Sequence, residues 1–386
     1  MHYLDYAATT PILDEVLEAM MPFQAKHFGN PSSVYAAGRE AKKGLEEARE
    51  QMAEAIGAQP SEIVFTGGGT EADNLALKGA ALKASGGRPP GKPMRVVATS
   101  IEHHAVLHSV DWLERLGFDV QLANSRPNGL VDVDHLASLI TPETILVSVM
   151  LVNNEVGTIQ PLREISALVR AKSRALVHTD AVQALGKIPV DVVDLQVDLA
   201  AFSAHKLGGP KGTGALFVRR KTPLEAVIHG GGQERDLRSG TPNVAGIVGL
   251  AAAAKIAAKE VEEESERLAK LRDRLQADLT ASVAGIQVNA ADAPRISGTL
   301  NVCVNGVEGE SLLLMLDRAG IWASSGSACQ SGSLDPSHVL KAMGIPKQVA
   351  LGSLRLSLGR GSTDDDVDQA MAQLPPIVER LRSARR

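Results

Sequence analysis

The sequence predicts an α/β protein with a mostly parallel, seven-stranded sheet flanked by helices, followed by a smaller α+β region. Seven short apolar runs have the length of strands that are buried on both faces, and longer stretches with helical periodicity separate most of them. This alternation indicates parallel pairing, because parallel strands need crossover connections that are usually helices. The predicted strands lie at residues 63–66, 96–99, 120–123, 145–150, 176–180, 199–203 and 214–218.

The stretches between these strands predict helices and one loop. Residues 71–85 and 165–172 have helical periodicity, and the Gly- and Pro-rich stretch 86–93 is predicted to be a surface loop, since the alternation continues beyond it. Residues 251–279 predict one long amphipathic helix, whose charges of both signs at 259–274 are typical of a solvated face.

The pattern changes after about residue 245, which suggests two domains. The long helix is followed by a predicted strand at 299–304, a Ser- and Gly-rich loop and further helices. We therefore predict a large domain at 14–250 and a small domain formed by 1–13 and 251–386.

Composition excludes several classes of protein. The 386 residues carry a net charge of −5, so the chain is not a strongly basic nucleic-acid-binding protein. The longest apolar run, 244–254, is shorter than the roughly 18 residues of a membrane span, and residues 1–10 lack the features of a signal peptide. Only two cysteines occur, so we expect a reducing compartment rather than a disulfide framework. A cytoplasmic enzyme that binds neither nucleic acid nor membrane is expected.

Residues 66–71 (TGGGTE) are a candidate anion site. They follow a predicted strand and open a helix, where free backbone N–H groups favour a phosphate and glycines allow it to approach closely. A simple tight turn explains the same residues equally well. The GxGxxG fingerprint of a dinucleotide-binding fold is missing, which disfavours a nicotinamide-dependent dehydrogenase.

Two further strand ends carry polar side chains of catalytic type. Asp180 ends one predicted strand, and Ser203-Ala204-His205-Lys206 follows the next. Lys206 could be a surface lysine in a turn, or it could bind pyridoxal phosphate covalently while Asp180 pairs with the protonated pyridine nitrogen. That cofactor needs an anion cradle, a lysine and an acid, and all three are predicted at strand ends, where α/β sites cluster.

A histidine-rich segment follows residue 102. His104 and His108 are spaced so that they share a helix face, but there is no HExxH pattern and no obvious third ligand nearby. We expect no metal site here, and an imidazole that stacks on a cofactor ring is at least as plausible.

The two cysteines lie in contrasting surroundings. Seven of the ten residues at 324–333 are Ser or Gly, so Cys329 is expected to be an exposed, reactive thiol on a flexible segment. Cys303 lies in the apolar strand-like run 300–304 and is expected to be buried and structural.

Taken together, these residues resemble the cysteine desulfurases, which are pyridoxal-phosphate enzymes of aminotransferase fold type I. The resemblance runs along nearly the whole chain, and its Cys329 segment is similar to that of the subgroup that serves iron–sulfur cluster assembly or nitrogen fixation. The matching segments are YLDYAATTP at 3–11, FGNPSS at 28–33, VNNEVG at 152–157, SAHK at 203–206, RSGT at 238–241, SSGSAC at 324–329 and LRLS at 354–357.

The resemblance implies a role for each matching residue of the cofactor site. Lys206 binds the cofactor covalently and moves protons, Asp180 keeps the pyridine nitrogen protonated, and His103 stacks on the ring and assists proton transfer. Gln183 donates a hydrogen bond to the phenolic oxygen of the cofactor. Asn154 also lies beside the cofactor. The residues implied to bind the phosphate are Gly69, Thr70, Ser203, His205 and, from the other subunit of a homodimer, Thr241.

The resemblance also implies the reaction. Asn154 and Arg355 hold the carboxylate of L-cysteine, and Cys329 attacks the substrate sulfur, which leaves L-alanine and a persulfide. The persulfide passes to an iron–sulfur scaffold or another acceptor protein, and Cys329 is implied to contact a transferred iron–sulfur cluster. Two alternatives are an aminotransferase or lyase of the same fold, which gives Cys329 no role, and a non-catalytic sulfur-transfer scaffold, against which the set of Lys206, Asp180 and Cys329 argues.

Overall fold

The computed structural model describes residues 1–384, except 88, 90 and 326–334. Its strands are β1 (His2–Tyr3), β2 (Ile63–Thr66), β3 (Arg95–Thr99), β4 (Asp119–Ala123), β5 (Thr144–Ser148), β6 (Leu176–Asp180), β7 (Leu199–Ser203), β8 (Gly214–Val218), β9 (Ile286–Val288), β10 (Thr299–Val304), β11 (Ile321–Trp322) and β12 (Ser353–Ser357). Its helices are α1 (Asp14–Ala25), α2 (Ala36–Glu54), α3 (Gly69–Ser85), α4 (His104–Arg115), α5 (Val133–Leu139), α6 (Leu162–Lys172), α7 (Val244–Ser282), α8 (Gly309–Arg318), α9 (His338–Ala342), α10 (Lys347–Ala350) and α11 (Asp364–Ala384). Short 3-10 helices lie at Pro60–Glu62 and Ala204–Lys206.

Seven strands form the central sheet in the order β2-β8-β7-β6-β5-β3-β4. The strands from β7 to β4 pair in parallel, whereas β8 is antiparallel to both β7 and β2. All seven predicted strands are present, and their bounds agree with the prediction within two residues. The predicted fold class is therefore confirmed.

The predicted helices are also present, but α7 begins at Val244, seven residues before its predicted start at 251. Most of residues 244–254 are buried, so this stretch lacks the one-sided pattern by which an amphipathic helix is identified. Helix α7 begins with a capping interaction, in which the Asn243 side chain accepts a hydrogen bond from the N–H of Gly246 at 3.1 Å. Within the described ranges, no helix is both long and apolar enough to cross a membrane.

Helices cover both faces of the central sheet. Consecutive strand residues point to opposite faces, so Val96 packs in the cluster under α3 and α4, whereas Val97 packs in the cluster that α2, α6 and the first half of α7 complete. This double cover explains why the strands are continuous apolar runs without polar alternation.

A second hydrophobic core lies against the sheet β12-β10-β9, whose strands are antiparallel. The first residues of the chain belong to this core, since β1 pairs with β11, and Leu4 is fully buried among its members. Helix α7 joins the two cores, because Leu250 packs on the central sheet and Leu275 packs in the second core.

The strand directions bring three polar strand ends to one edge of the central sheet. β6 and β7 are parallel, and β2 runs in the same direction because β8 is antiparallel to both of its neighbours. The carboxyl ends of these strands, at Thr66, Asp180 and Ser203, therefore share an edge, and α3 begins there. In parallel sheets this edge is where ligands bind.

A buried ion pair holds the segment 228–238 beside that edge. Glu234 accepts two hydrogen bonds from Arg49 of α2, both 2.8 Å long, and one from the N–H of Phe65 at 2.9 Å. Both charged side chains are about 5% exposed. The pair therefore stabilises a segment whose backbone takes positive φ at Glu234, Arg235 and Asp236.

Arg49→Met should destabilise the fold strongly, because it leaves the Glu234 carboxylate buried without its partner. We expect the free energy of unfolding, measured by urea denaturation, to fall by about 3–5 kcal/mol. The matched control is Lys43→Met on the same helix, whose pair with Glu47 is exposed and should change stability by less than about 0.5 kcal/mol. Equal losses in the two variants would contradict a structural role for the buried pair.

Candidate active site

A cleft of about 810 Å³ opens at the edge where the three strands end. It lies between the N-terminus of α3, the end of β7, the N-terminal segment of the chain and the segment 228–238. The residues that line it are Ala8, Thr9, Gly67, Gly68, Gly69, Thr70, Glu71, Asn74, Leu75, Ser203, His205, Lys211, Gly212, Val227, Ile228, Leu237 and Arg238.

The N-terminus of α3 forms an anion cradle in this cleft. Among the described residues, no side chain caps it, so the N–H groups of its first turn face the cleft. Gly68 has a φ of 151°, which favours glycine, and a Cβ on Gly69 would lie 2.6 Å from Val182 Cγ2. The backbone conformation therefore favours glycine at position 68, and the close approach of Val182 favours it at position 69.

Four of the five residues predicted to bind the phosphate line this cleft. Thr70, Ser203 and His205 line it together with Gly69. The Nδ1 atom of His205 lies 3.1 Å from Thr9 Oγ1. Burial, and then the charges of nearby lysines, lowers the pKa of His205 to about 4, so the imidazole is neutral at physiological pH.

Lys206 lies in the short 3-10 helix after β7, next to the N-terminal segment. Its Nζ atom donates to the carbonyl oxygens of Ala7 and Ala8 at 2.6 and 2.7 Å. Ala8 is part of the cleft wall, so the amine lies beside the cleft.

Asp180 is buried at the end of β6, with 5% exposure. Its Oδ1 accepts a hydrogen bond from the N–H of Val182 at 2.9 Å. Burial raises the pKa of this carboxyl, and the charges of His103 and Lys206 act in the opposite direction. A cation bound next to Asp180 would favour its ionised form.

His103 is held in one orientation by its place at the start of α4. Its Nδ1 accepts a hydrogen bond from the N–H of Ala105 at 3.1 Å, so a proton of the neutral ring lies on Nε2. Burial lowers the pKa of His103, which favours this neutral form.

The side chain of Arg355 contacts the main chain of Asn154, and the two residues are the predicted carboxylate-binding pair. The Nη1 atom of Arg355 donates to the main-chain oxygen of Asn154, and Nη2 donates to Asp5 Oδ1, both at 2.8 Å. Its Nε is buried and has no hydrogen-bond partner among the described residues. The guanidinium is 4% exposed, so it is held rigidly beside Asp5.

Of the predicted site residues that the structure describes, four line this cleft, and the others do not: His103, Asn154, Asp180, Gln183, Lys206, Thr241 and Arg355. Thr241 is exposed and is not among the described residues that line it. Cys329 lies outside the described residues. Ser324, five positions before it, pairs with Arg355 through two main-chain hydrogen bonds of 2.6 and 3.2 Å. Cys303 is fully buried in β10, as predicted, and burial raises the pKa of its thiol.

Three further histidines, His104, His108 and His338, lie close together beside His103. The ring centroid of His104 is 5.2 Å from that of His108 and 4.6 Å from that of His338. In the part of the chain that the structure describes, no group of three or more His, Cys, Asp or Glu residues could hold a metal ion.

Sequence reasoning missed a set of buried polar groups behind Asp180. Glu102 Oε1 accepts hydrogen bonds from Thr99 Oγ1 at 2.7 Å and from the Met150 N–H at 2.8 Å. Burial is the main cause that raises the pKa of Glu102 to about 8. A second carboxyl, Asp73, has a pKa raised by burial and by the charges of Asp180 and Glu102.

His178 completes this buried set. Its Nε2 lies 3.4 Å from Asp73 Oδ1 and its Nδ1 lies 2.9 Å from Ser148 Oγ, with burial lowering its pKa to about 3. One signal was available in the sequence, since His178 is two residues before Asp180 and therefore lies on the same face of β6. No comparable local signal marks Asp73.

Comparison with known proteins identifies the family. The class-V aminotransferase family matches residues 2–370. Cysteine desulfurase IscS of Methanosarcina thermophila is 48% identical over 381 residues, which cover 99% of this chain and 93% of that protein. The chain belongs to the cysteine desulfurase family. The prediction of a pyridoxal-phosphate-dependent enzyme is therefore confirmed.

Solved structures agree with this assignment. A NifS-like protein has a TM-score of 0.92 to the enzyme at 39% identity, covering 99% of this chain and 100% of that one. The structure of SspA in complex with cysteine has a TM-score of 0.82 at 36% identity, covering 93% of this chain and 99% of that one. The fold of this cysteine desulfurase family member is thus that of fold type I, as predicted.

The residues at the cleft fit pyridoxal 5'-phosphate. The α3 N-terminus suits the phosphate, because among the described residues no side chain caps its free N–H groups. The buried Asp180 carboxylate needs a positive partner, which a pyridinium nitrogen supplies, and the amine of Lys206 donates a hydrogen bond to Ala8 of the cleft wall.

Glu102→Gln should change how the stability of the enzyme depends on pH. A carboxyl whose pKa rises from 4.5 to about 8 on folding stays protonated in the native state while the unfolded chain ionises. Its contribution to stability is therefore lost as pH rises through this window. The glutamine cannot ionise. The free energy of unfolding of the variant should therefore rise relative to that of the wild type by up to about 1.4 kcal/mol for each pH unit between 4.5 and about 8. Urea denaturation across the window measures this, and parallel stability curves would contradict it.

Proposed function

We propose that the enzyme converts L-cysteine to L-alanine and passes the sulfur, held as a persulfide on Cys329, to an acceptor protein for iron–sulfur cluster assembly in the cytoplasm. The position of Arg355 is the observation that carries this proposal. Its guanidinium donates a hydrogen bond to the main-chain oxygen of Asn154, and its own main chain forms hydrogen bonds with that of Ser324. A residue suited to a substrate carboxylate therefore also holds the start of the segment that leads to the thiol.

The other end of that segment is also bonded to the site. The Ser337 hydroxyl donates to Glu155 Oε2, and His338 Nε2 lies 2.9 Å from the Glu102 main-chain oxygen. Glu155 follows Asn154 directly, and Glu102 precedes His103. The described residues on both sides of Cys329 are therefore bonded to neighbours of predicted site residues, which supports the sulfur-transfer role that we propose for its thiol.

We assign the cofactor-binding roles to this chain's own groups. When bound, pyridoxal phosphate supplies an electron sink for the carbons of the substrate. The amine of Lys206 holds the cofactor and moves protons, Asp180 keeps a proton on the pyridine nitrogen, and His103 covers the ring and offers Nε2 for proton transfer. Gln183 donates to the phenolic oxygen. The phosphate is bound by Gly69, Thr70, Ser203 and His205.

Sulfur transfer then belongs to Cys329. Its thiolate attacks the sulfur of the substrate, so the S–S bond of the persulfide forms as the C–S bond breaks. The electron pair of the C–S bond stays with carbon, which takes up a proton and becomes the methyl group of alanine. L-cysteine and one thiol thus yield L-alanine and one persulfide, with no external oxidant.

We also propose two domains with the boundaries predicted from the sequence, a cofactor-binding domain at 14–250 and a small domain of 1–13 and 251–386 that carries Cys329. The separate hydrophobic cores support this division, as does the pairing of β1 with β11. Helix α7 crosses the boundary and joins the two parts.

Cys329→Ser should abolish sulfur transfer while cofactor binding persists. Cys303→Ser is the matched control, because Cys303 is fully buried and accepts a hydrogen bond from Asn289, so it should retain activity at a modest packing cost. After one turnover with L-cysteine, mass spectrometry should find the added sulfur on the peptide that contains Cys329. Sulfur on Cys303, or normal sulfide release by Cys329→Ser, would overturn the mechanism.

The working unit is proposed to be a homodimer in which Thr241 of one subunit reaches the phosphate-binding residues of the other. The exposure of Thr241 outside its own cleft supports this arrangement. Thr241→Val should weaken cofactor binding about tenfold or more, the effect of losing one hydrogen bond to a charged group.

Mixed dimers test the subunit arrangement. A dimer of one Lys206→Ala chain and one Thr241→Val chain contains one site with both changes and one site with neither. Half of the sites should therefore bind pyridoxal phosphate with wild-type affinity, measured by cofactor titration of dimers isolated with two affinity tags. An active monomer in light scattering, or mixed dimers that lack a wild-type site, would reject the arrangement.

A further inference from the structure

The side-chain amide of Gln183 is buried and is hydrogen-bonded at both ends. Its Nε2 donates to the Ala7 carbonyl oxygen at 2.8 Å, and its Oε1 accepts a hydrogen bond from Lys187 Nζ. Gln183 is 4% exposed. The same Ala7 oxygen accepts from Lys206 Nζ at 2.6 Å, so the amide lies beside the lysine that holds the cofactor.

These two partners select one of the two orientations of the amide. An amide oxygen only accepts and an amide nitrogen only donates, and the Ala7 carbonyl only accepts. Lys187 donates to the oxygen end, so both contacts direct Oε1 toward Lys187 and Nε2 toward Ala7. The nitrogen carries two hydrogens, one of which is donated to Ala7. The second is the hydrogen that the proposed role of Gln183 requires.

Lys187 is held in place by its own backbone. Gly186, with a φ of 76°, forms the turn before it, and the Ser265 hydroxyl donates to the Lys187 carbonyl oxygen at 2.9 Å. Burial, followed by the charges of Lys206 and Arg355, lowers the pKa of Lys187 to about 7. Both the charged and the neutral amine carry hydrogens, so the amine donates to Gln183 in either form.

We propose that Lys187 is a positioning residue that orients the Gln183 amide, so that an N–H of Gln183 points to the phenolic oxygen of the bound cofactor. The inference deepens the proposed function, because it rests on the cofactor role assigned to Gln183. Lys187 acts through Gln183 and needs no contact with substrate or cofactor. Its contribution therefore exists only while Gln183 is present, which makes a double-mutant cycle the decisive test.

The experiment compares the wild type, Lys187→Met, Gln183→Leu and the double variant, each loaded with pyridoxal phosphate and free of substrate. The readout is the pH at which the visible absorption of the bound cofactor titrates. A donor to the phenolic oxygen favours its deprotonated form. Lys187→Met and Gln183→Leu should therefore each raise the midpoint by about half a unit to one unit, the size expected for one hydrogen bond.

In the Gln183→Leu background, Lys187→Met should produce no further shift. Lys187→Arg keeps a cationic donor and should restore a midpoint near that of the wild type. Lys187 borders a cavity of about 320 Å³, so a shorter side chain enlarges an existing cavity and creates no new one. Lys187→Ala is therefore measured in parallel and should behave as Lys187→Met does.

Three results would overturn the inference. Equal shifts by Lys187→Met in both backgrounds would mean that Lys187 acts through its charge alone. An unchanged midpoint in Lys187→Met and Lys187→Ala, with a shifted midpoint in Gln183→Leu, would reject the role of Lys187 but leave that of Gln183 intact. An unchanged midpoint in Gln183→Leu would reject the assigned cofactor contact itself, and the inference with it.

Discussion

The carbonyl oxygen of Ala7 is shared by two donors that follow the central sheet, the amine of Lys206 and the amide of Gln183. Ala7 is held from the opposite side, because its N–H donates to the Ser357 hydroxyl of β12 at 2.9 Å. The neighbouring ring of Tyr6 packs so closely on Gly359 that a Cβ there would lie 2.1 Å from it. The N-terminal segment therefore connects the two cores, and the geometry of the lysine and the amide depends on where this segment lies.

Burial imposes a second constraint on the site, because several carboxyl groups lie close together in a medium of low dielectric constant. Burial raises the pKa values of Asp73 and Glu102, so both favour the neutral, protonated form. The pKa of Asp180 is also raised, but the charges of His103 and Lys206 favour its ionised form. Of these three carboxyl groups, Asp180 is the one whose ionised form is favoured by neighbouring basic side chains, which supports its proposed role beside a pyridinium nitrogen.

The parts of this protein that follow local rules could be predicted from the sequence. The seven strands are predictable as apolar runs because helices cover both faces of the sheet, and the glycines that precede α3 indicate a candidate anion cradle. The meeting of Asp180 and Ser203 at one edge also follows from strand order, since parallel strands end on the same side. The sequence pattern predicts a start of α7 that is too late, because the first residues of this helix are buried on nearly all sides.

The sequence by itself thus determined the fold class, the family and the edge of the sheet where the site lies. Only the tertiary structure decided which polar groups support that site. Asp73 and His178 meet from a helix and a strand that are far apart in the chain, and Gln183 meets Ala7 across 176 positions of the sequence. Periodicity and turn residues are local properties, whereas these contacts depend on how segments that are distant in the chain pack together.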